Sequence, residues 1–148
     1  MNPQTLDAAG IAARVPHSGS MCLLHSVRGW SAESLECTAR SHGELANPLR
    51  TQGVLLAANA IEYAAQAMAV HGSLCATPGT PPTPGYLASV RAVTLHVQRL
   101  DDIAGQLNIA VSQLAGDTRQ ALYTFTLHDD TGALLVDGRA TVVLKVLP

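Results

Sequence analysis

A chain of 148 residues is long enough for one domain with a substantial core and too short for two ordinary domains joined by a linker. Apolar types make up 47% of it, aromatics 3% and charged residues 14%, so the core is built from Ala, Val and Leu and the composition excludes disorder. The net charge is −2 and no basic run interleaves with aromatics, which argues against a nucleic-acid partner.

No segment supplies the roughly 18 uninterrupted apolar residues of a membrane span, and Met1-Asn2-Pro3-Gln4 lacks the basic start of a signal peptide, so a cytoplasmic location is expected. Sparse charge implies a surface partly covered by a partner, so an oligomer is the first expectation. Cys22, Cys37 and Cys75 are odd in number and far apart, which fits neither a disulfide framework nor a C-x-x-C site; all three read as small buried hydrophobes.

In chain order, Met21 to Trp30 is apolar and bounded by Gly and Ser, and Ser34 to Ser41 alternates Leu35, Cys37 and Ala39 with polar neighbours. These are two strands of a hairpin turning near Ser31-Ala32-Glu33. Asn47 to Gly53 is loop-like, since Pro48 disfavours helix at Asn47. From Val54 to Val70 there is no Pro or Gly, and Ala, Leu and Met dominate, which predicts one long helix with Gly72 as its stop. Thr77 to Gly85, rich in Pro and Gly, is an excursion without regular structure. Strands follow over Tyr86 to Val97, Gln106 to Leu114, Gln120 to His128 and Ala133 to Leu147, with turns at Gly116-Asp117 and Asp129 to Gly132. Val93, Leu95 and Val97 are expected to share a face, as are Leu107, Ile109 and Val111.

A helix that is apolar nearly all round must be buried on most sides, and a curved antiparallel sheet wrapped around it does that. The expected class is therefore α+β over a single domain, residues 1–148. The hotdog arrangement, one long central helix wrapped by such a sheet, fits the element order; other α+β meanders share it.

Glu62 is the only charged residue (Asp, Glu, Lys or Arg) between Arg50 and Arg91. Helical spacing puts Ala58, Glu62, Ala65, Gln66 and Ala69 on one stripe, so Glu62 and Gln66 form an i,i+4 polar pair on a small-residue surface. A carboxyl in apolar surroundings has its charged form disfavoured and is a candidate acid near neutral pH; the plain alternative is a solvent-facing stripe. His17, in Val15-Pro16-His17-Ser18-Gly19, and His42, in Ser41-His42-Gly43-Glu44, are candidate bases or ordinary loop residues. His25, His96 and His128 fall in strands, and His71 sits at the helix C-terminus, where a cation suits the dipole. No metal-ligand spacing, P-loop, dinucleotide fingerprint or G-x-S-x-G elbow occurs, so neither metal nor cofactor is expected.

Pro16-His17-Ser18-Gly19-Ser20-Met21-Cys22-Leu23-Leu24 resembles the N-terminal Pro-His…Leu-Leu stretch of the hotdog-fold 3-hydroxyacyl-acyl-carrier-protein dehydratases. Glu62-Tyr63-Ala64-Ala65-Gln66 resembles their Glu-x-x-x-Gln central helix, and Asn47 through Gln66 is most similar to a divergent branch associated with aryl polyene biosynthesis. One departure stands out. The register of the main branch's catalytic His, in a Gly-His-Phe-Pro-Gly loop, falls here on Pro48, beside Asn47.

The resemblance implies loss of water from a 3-hydroxyacyl thioester on acyl carrier protein, giving the 2,3-unsaturated thioester, in fatty-acid or polyene-type synthesis. It implies His17 as base, with His42 second, and Glu62 as acid for the leaving hydroxyl. Asn47, Gly53, Ala58 and Gln66 would meet the substrate, with backbone N–H groups near Gly53 to Leu55 polarising the carbonyl. It also implies a homodimer or a heteromer with a related hotdog subunit, the site at the interface, and Arg50 or Arg91 toward the acidic carrier. The alternatives are a non-catalytic partner subunit, an acyl thioesterase, and a small-molecule-binding domain.

Overall fold

The computed structural model of the chain describes residues 5–15, 19–76 and 85–144. Six strands form one antiparallel sheet: β1 (Leu24–Trp30), β2 (Ser34–Ala39), β3 (Gly85–Leu95), β4 (Leu107–Gly116), β5 (Gln120–His128) and β6 (Leu134–Leu144), in the spatial order β1-β2-β4-β5-β6-β3. A short helix, α1 (Ala8–Ala12), precedes β1, and one long helix, α2 (Ala60–Cys75), lies between β2 and β3. This is the hotdog fold expected from the element order.

Period-two alternation places Leu35, Cys37 and Ala39 of β2, Leu107, Ile109 and Val111 of β4, and Ala121, Tyr123, Phe125 and Leu127 of β5 in the core. Against them α2 turns a stripe at helical spacing, Ala60, Tyr63, Ala64, Ala67 and His71, all buried. The small Ala side chains let the helix approach the sheet closely. Each Leu or Ile buried in that interface contributes about 2 kcal/mol. Phe125 is paired across β5 and β6 with Gly138, where a Cβ would come within 2.8 Å of the ring. Glycine at that position is what makes room for the chain's single Phe. The predicted turns are closed by side chains: Ser31 Oγ accepts from the Ser34 amide, and Asp117 Oδ1 from the Arg119 and Gln120 amides.

The helix differs from the sequence expectation at both ends. Val54 to Leu56 has good helix propensity, yet Leu56 is extended (ψ 147°), because this stretch pairs with residues 98–101. The Leu55 amide donates to Asp101 Oδ1 at 2.9 Å, Leu100 N donates to Leu55 O and Ala57 N to Gln98 O. A 3-10 turn, Ala57–Asn59, then leads into α2. At the other end Gly72 does not stop the helix, which runs on to Cys75. His71 explains the extension and corrects its own assignment. It is not a solvated cap but fully buried, with Nε2 donating to Ser31 O at 2.9 Å and Nδ1 accepting from Tyr123 Oη–H at 2.7 Å. Those bonds tie the last turns of α2 to the β1–β2 turn and to β5, and burial lowers the imidazole below its ordinary value.

Three smaller corrections concern β1, β3 and the cysteines. β1 begins at Leu24 rather than Met21, which closes a 3-10 turn. In β3 a bulge with Ala92 at φ 51° breaks the alternation, so Leu95 is exposed while Val93 and Val97 are half-buried. Cys37 is buried as expected, Cys22 is half-buried and Cys75 is exposed.

α2 makes its main contacts with β1, β2, β4 and β5, so β6 and β3 extend beyond it. The outer edge of β1 is covered by Leu6, whose backbone exchanges two hydrogen bonds with Val27. β3 is the other edge, and Tyr86, Leu87 and Leu95 along it are exposed. Among the described residues no helix is long and apolar enough to cross a membrane.

Candidate active site

Glu62 stands half-buried in the first turn of α2, one turn before Gln66, which is fully buried. The Gln66 amide is saturated. Its Oε1 accepts from the Leu23 amide at 2.9 Å, and its Nε2 donates to Met21 O at 2.7 Å and to Glu62 Oε1 at 3.4 Å. An i,i+4 pair on one helix face thus becomes a clamp: the helix holds the chain entering β1 and presents Glu62 beside it.

His17 lies outside the described residues; in the sequence it precedes Met21 by four positions. His42 is inside, in a 3-10 turn (Ser41–Gly43), with Nε2 donating to Ile103 O at 3.0 Å and Nδ1 buried without a partner. Burial pushes its imidazole below the ordinary value, against the pull of the Ile103 and Gly105 carbonyls. The ring is thus buried beneath the 103–105 loop and held by its backbone.

Asn47 also turns inward. Nδ2 donates to Ser41 O at 2.9 Å and to Tyr63 Oη at 3.0 Å, while Oδ1 accepts from the Leu49 amide at 2.9 Å. Tyr63, fully buried, passes the chain on. Ser41 Oγ spends its one hydrogen on Leu23 O at 2.8 Å, so the Tyr63 hydroxyl must donate to Ser41 Oγ, also at 2.8 Å. Burial raises the Tyr63 hydroxyl above its ordinary value and keeps it protonated for that role. Loop, helix and β1 entry are therefore joined by one directed chain, Asn47 to Tyr63 to Ser41 to Leu23, which ends where the Gln66 clamp begins. Sequence reasoning picked out Asn47, Glu62 and Gln66 but missed Tyr63 and Ser41. The available signal was the single Tyr in an Ala-rich helix.

Gly53 is exposed in a two-residue turn, with Gln52 at φ 51° and Gly53 at φ 80°, and Thr51 and Val54 exchange both backbone bonds around it. The Val54 and Leu55 amides are thereby committed, to Thr51 O and to Asp101 Oδ1. That corrects their assignment as carbonyl donors: the positive end of the helix lies at Ala57 to Ala60, where Ala58 is exposed. Arg50 braces the same loop by donating to Gly53 O at 2.7 Å and to His42 O at 3.2 Å, whereas Arg91 on β3 is exposed. No group of three His, Cys, Asp or Glu side chains that could hold a metal occurs among the described residues.

The family model of the ApeP dehydratase matches residues 9–145. The chain belongs to the ApeP-like dehydratase family. Among solved structures it is similar to a chain of the dehydratase heterocomplex ApeI:P from Xenorhabdus doucetiae, with 25% identity, a TM-score of 0.81, and coverage of 95% of this chain and 92% of that one. Two thioesterases share the fold. One from Pseudomonas aeruginosa is 16% identical with a TM-score of 0.68, covering 97% of each chain; one from Haemophilus influenzae is 13% identical with a TM-score of 0.67, covering 97% and 93%. No curated protein matches the sequence.

Proposed function

We propose that this ApeP-like chain removes water from a 3-hydroxyacyl thioester carried on acyl carrier protein, within fatty-acid or aryl polyene-type synthesis. The observation that carries the reading is the Gln66 clamp, which fixes a half-buried carboxyl against the segment entering β1, in a member of a dehydratase family. His17, a few residues upstream on that segment, takes the proton from the carbon next to the thioester carbonyl. The electron pair forms the 2,3 double bond, the C–O bond at carbon 3 breaks, and protonated Glu62 delivers a proton to the departing hydroxyl as water. The helical N-terminus at Ala57 to Ala60, with Ala58 exposed, polarises the thioester oxygen through its dipole. Gln66 acts on Glu62 and not on the acyl group, since its hydrogen bonds are already committed.

The partner is a second hotdog subunit seated along β3. Among the described residues nothing pairs with its outer edge, Leu87 and Leu95 are 40% and 47% exposed, and α2 leaves the inner side of β3 and β6 to be covered. A heteromer fits the assembly named for ApeI:P. A second reading, a non-catalytic subunit supporting an active partner, is favoured by one observation: the register of the main branch's catalytic His falls on Pro48, and its neighbour Asn47 is committed to Ser41, Tyr63 and Leu49.

Mass spectrometry of a 3-hydroxyacyl carrier protein, incubated with the chain alone and with an active hotdog dehydratase partner, separates the readings. Loss of water with the chain alone supports catalysis. Loss of water with the partner that persists after Glu62→Gln supports the accessory role, and release of free acid contradicts both.

A further inference from the structure

A second group of chemistry-bearing residues lies on the outer face of the sheet, apart from Glu62. Arg91 of β3 and Arg139 of β6 are directly opposite in register. Their side chains therefore leave the sheet on the same face, with β-carbons about 5 Å apart. Gly138 is in contact with Phe125 and Ala140 is buried, so Arg139 points away from the core; both arginines are exposed. Two residues along, Ser89 and Thr141 repeat the pairing on that face. All four line an open cleft of about 560 Å³, closed at one end by the β4–β5 turn.

Like charges set directly opposite each other destabilise a strand pair. Folded proteins relieve such a contact with a carboxylate, and here none does so. Among the described residues neither guanidinium has an ion pair. Asp117, the one carboxylate among the described residues lining the cleft, accepts from the Arg119 and Gln120 amides through Oδ1 at 2.7 and 2.9 Å and pairs with neither arginine. Asp137, on the same face, is held by His96 at 2.8 Å. The cleft thus combines two uncompensated forked cations with two hydroxyls.

We propose that it binds a phosphate group. A carboxylate carries one charge and occupies one guanidinium, whereas a phosphate has enough oxygens and charge for both, with Ser89 and Thr141 as further donors. The site rests on these residues alone and not on the proposed reaction. Two sources share this chemistry: inorganic phosphate, and the phosphate of a phosphopantetheine arm, free or carried on a protein.

Titration of inorganic phosphate into the full chain at constant ionic strength, by calorimetry and phosphorus NMR, tests it. Saturable binding is expected, weakened about tenfold or more by Arg91→Ala and by Arg139→Ala, with partial recovery in Arg139→Lys. Phosphate should also raise Tm in the wild type and leave it unchanged in the Ala variants, which keep their far-UV dichroism because both sites are exposed. Tighter binding of phosphopantetheine than of phosphate assigns the site to the arm, and equal binding assigns it to the free ion. Absence of saturation, or saturation untouched by both Ala substitutions, overturns the proposal.

Discussion

Gln66→Leu is the sharpest structural test, because it keeps the volume of a buried side chain while removing every hydrogen bond of the clamp. Leu23 is 1% exposed, so its amide loses the Gln66 Oε1 acceptor with no water to replace it, at a cost of about 2 kcal/mol. Met21 is half-buried and its carbonyl can be rehydrated, which adds about 1 kcal/mol; the 3.4 Å contact to Glu62 adds less. A loss of about 3 kcal/mol lowers Tm by roughly 9 °C in a chain of this size. Urea and thermal unfolding of the full chain measure it. A companion, Gln66→Glu, keeps an acceptor for Leu23 but places a second carboxyl beside Glu62. Its deficit should shrink as pH falls and the new carboxyl becomes a donor to Met21 O. Stability of Gln66→Leu within about 0.5 kcal/mol of the wild type would show that the clamp does not anchor the entry to β1.

Burial lowers both His42 and His71, so the unfolded chain binds protons that the folded one excludes. Stability should be complete above about pH 6.5 and fall as pH drops below it, by up to about 1.4 kcal/mol per pH unit for each imidazole. Urea midpoints in that window should flatten in His71→Gln, and a pH-independent wild type contradicts the burial argument. Gly138→Ala drives a Cβ to 2.8 Å from Phe125 and 3.0 Å from Val93, and should cost about 1–3 kcal/mol in chemical denaturation; a neutral outcome would mean the ring can move aside. Replacing both Leu87 and Leu95 by Arg should dissociate the assembly in light scattering, and an unchanged mass rules out β3 as the interface.

The strands, their antiparallel character and the inward residues of β2 and β4 were legible in the sequence, because period two with clean polar neighbours has a single reading. The boundaries of α2 were not. Val54 to Leu56 favours helix locally, but pairing with residues 98–101 satisfies its backbone instead, and that partner lies more than forty positions away. Gly72 looked like a stop because the two long-range bonds of His71 cannot be read from spacing. Within the site, Glu62 and Gln66 followed from the helical repeat, which is local. The inward commitment of Asn47 did not, since it depends on Tyr63 arriving from the helix and Ser41 from the end of β2. Arg50 and Arg91 looked alike as charges, and only tertiary structure separates the loop brace from the exposed cleft residue.

The central claim is that Glu62 supplies the proton that carries off the hydroxyl. The most direct measurement is single-turnover dehydration of a 3-hydroxyacyl carrier protein by the wild type and by Glu62→Gln, each in the same assembly and followed by mass spectrometry. The account predicts formation of the unsaturated thioester by the wild type and a fall of about a hundredfold or more in Glu62→Gln. Equal rates in the two proteins would contradict it.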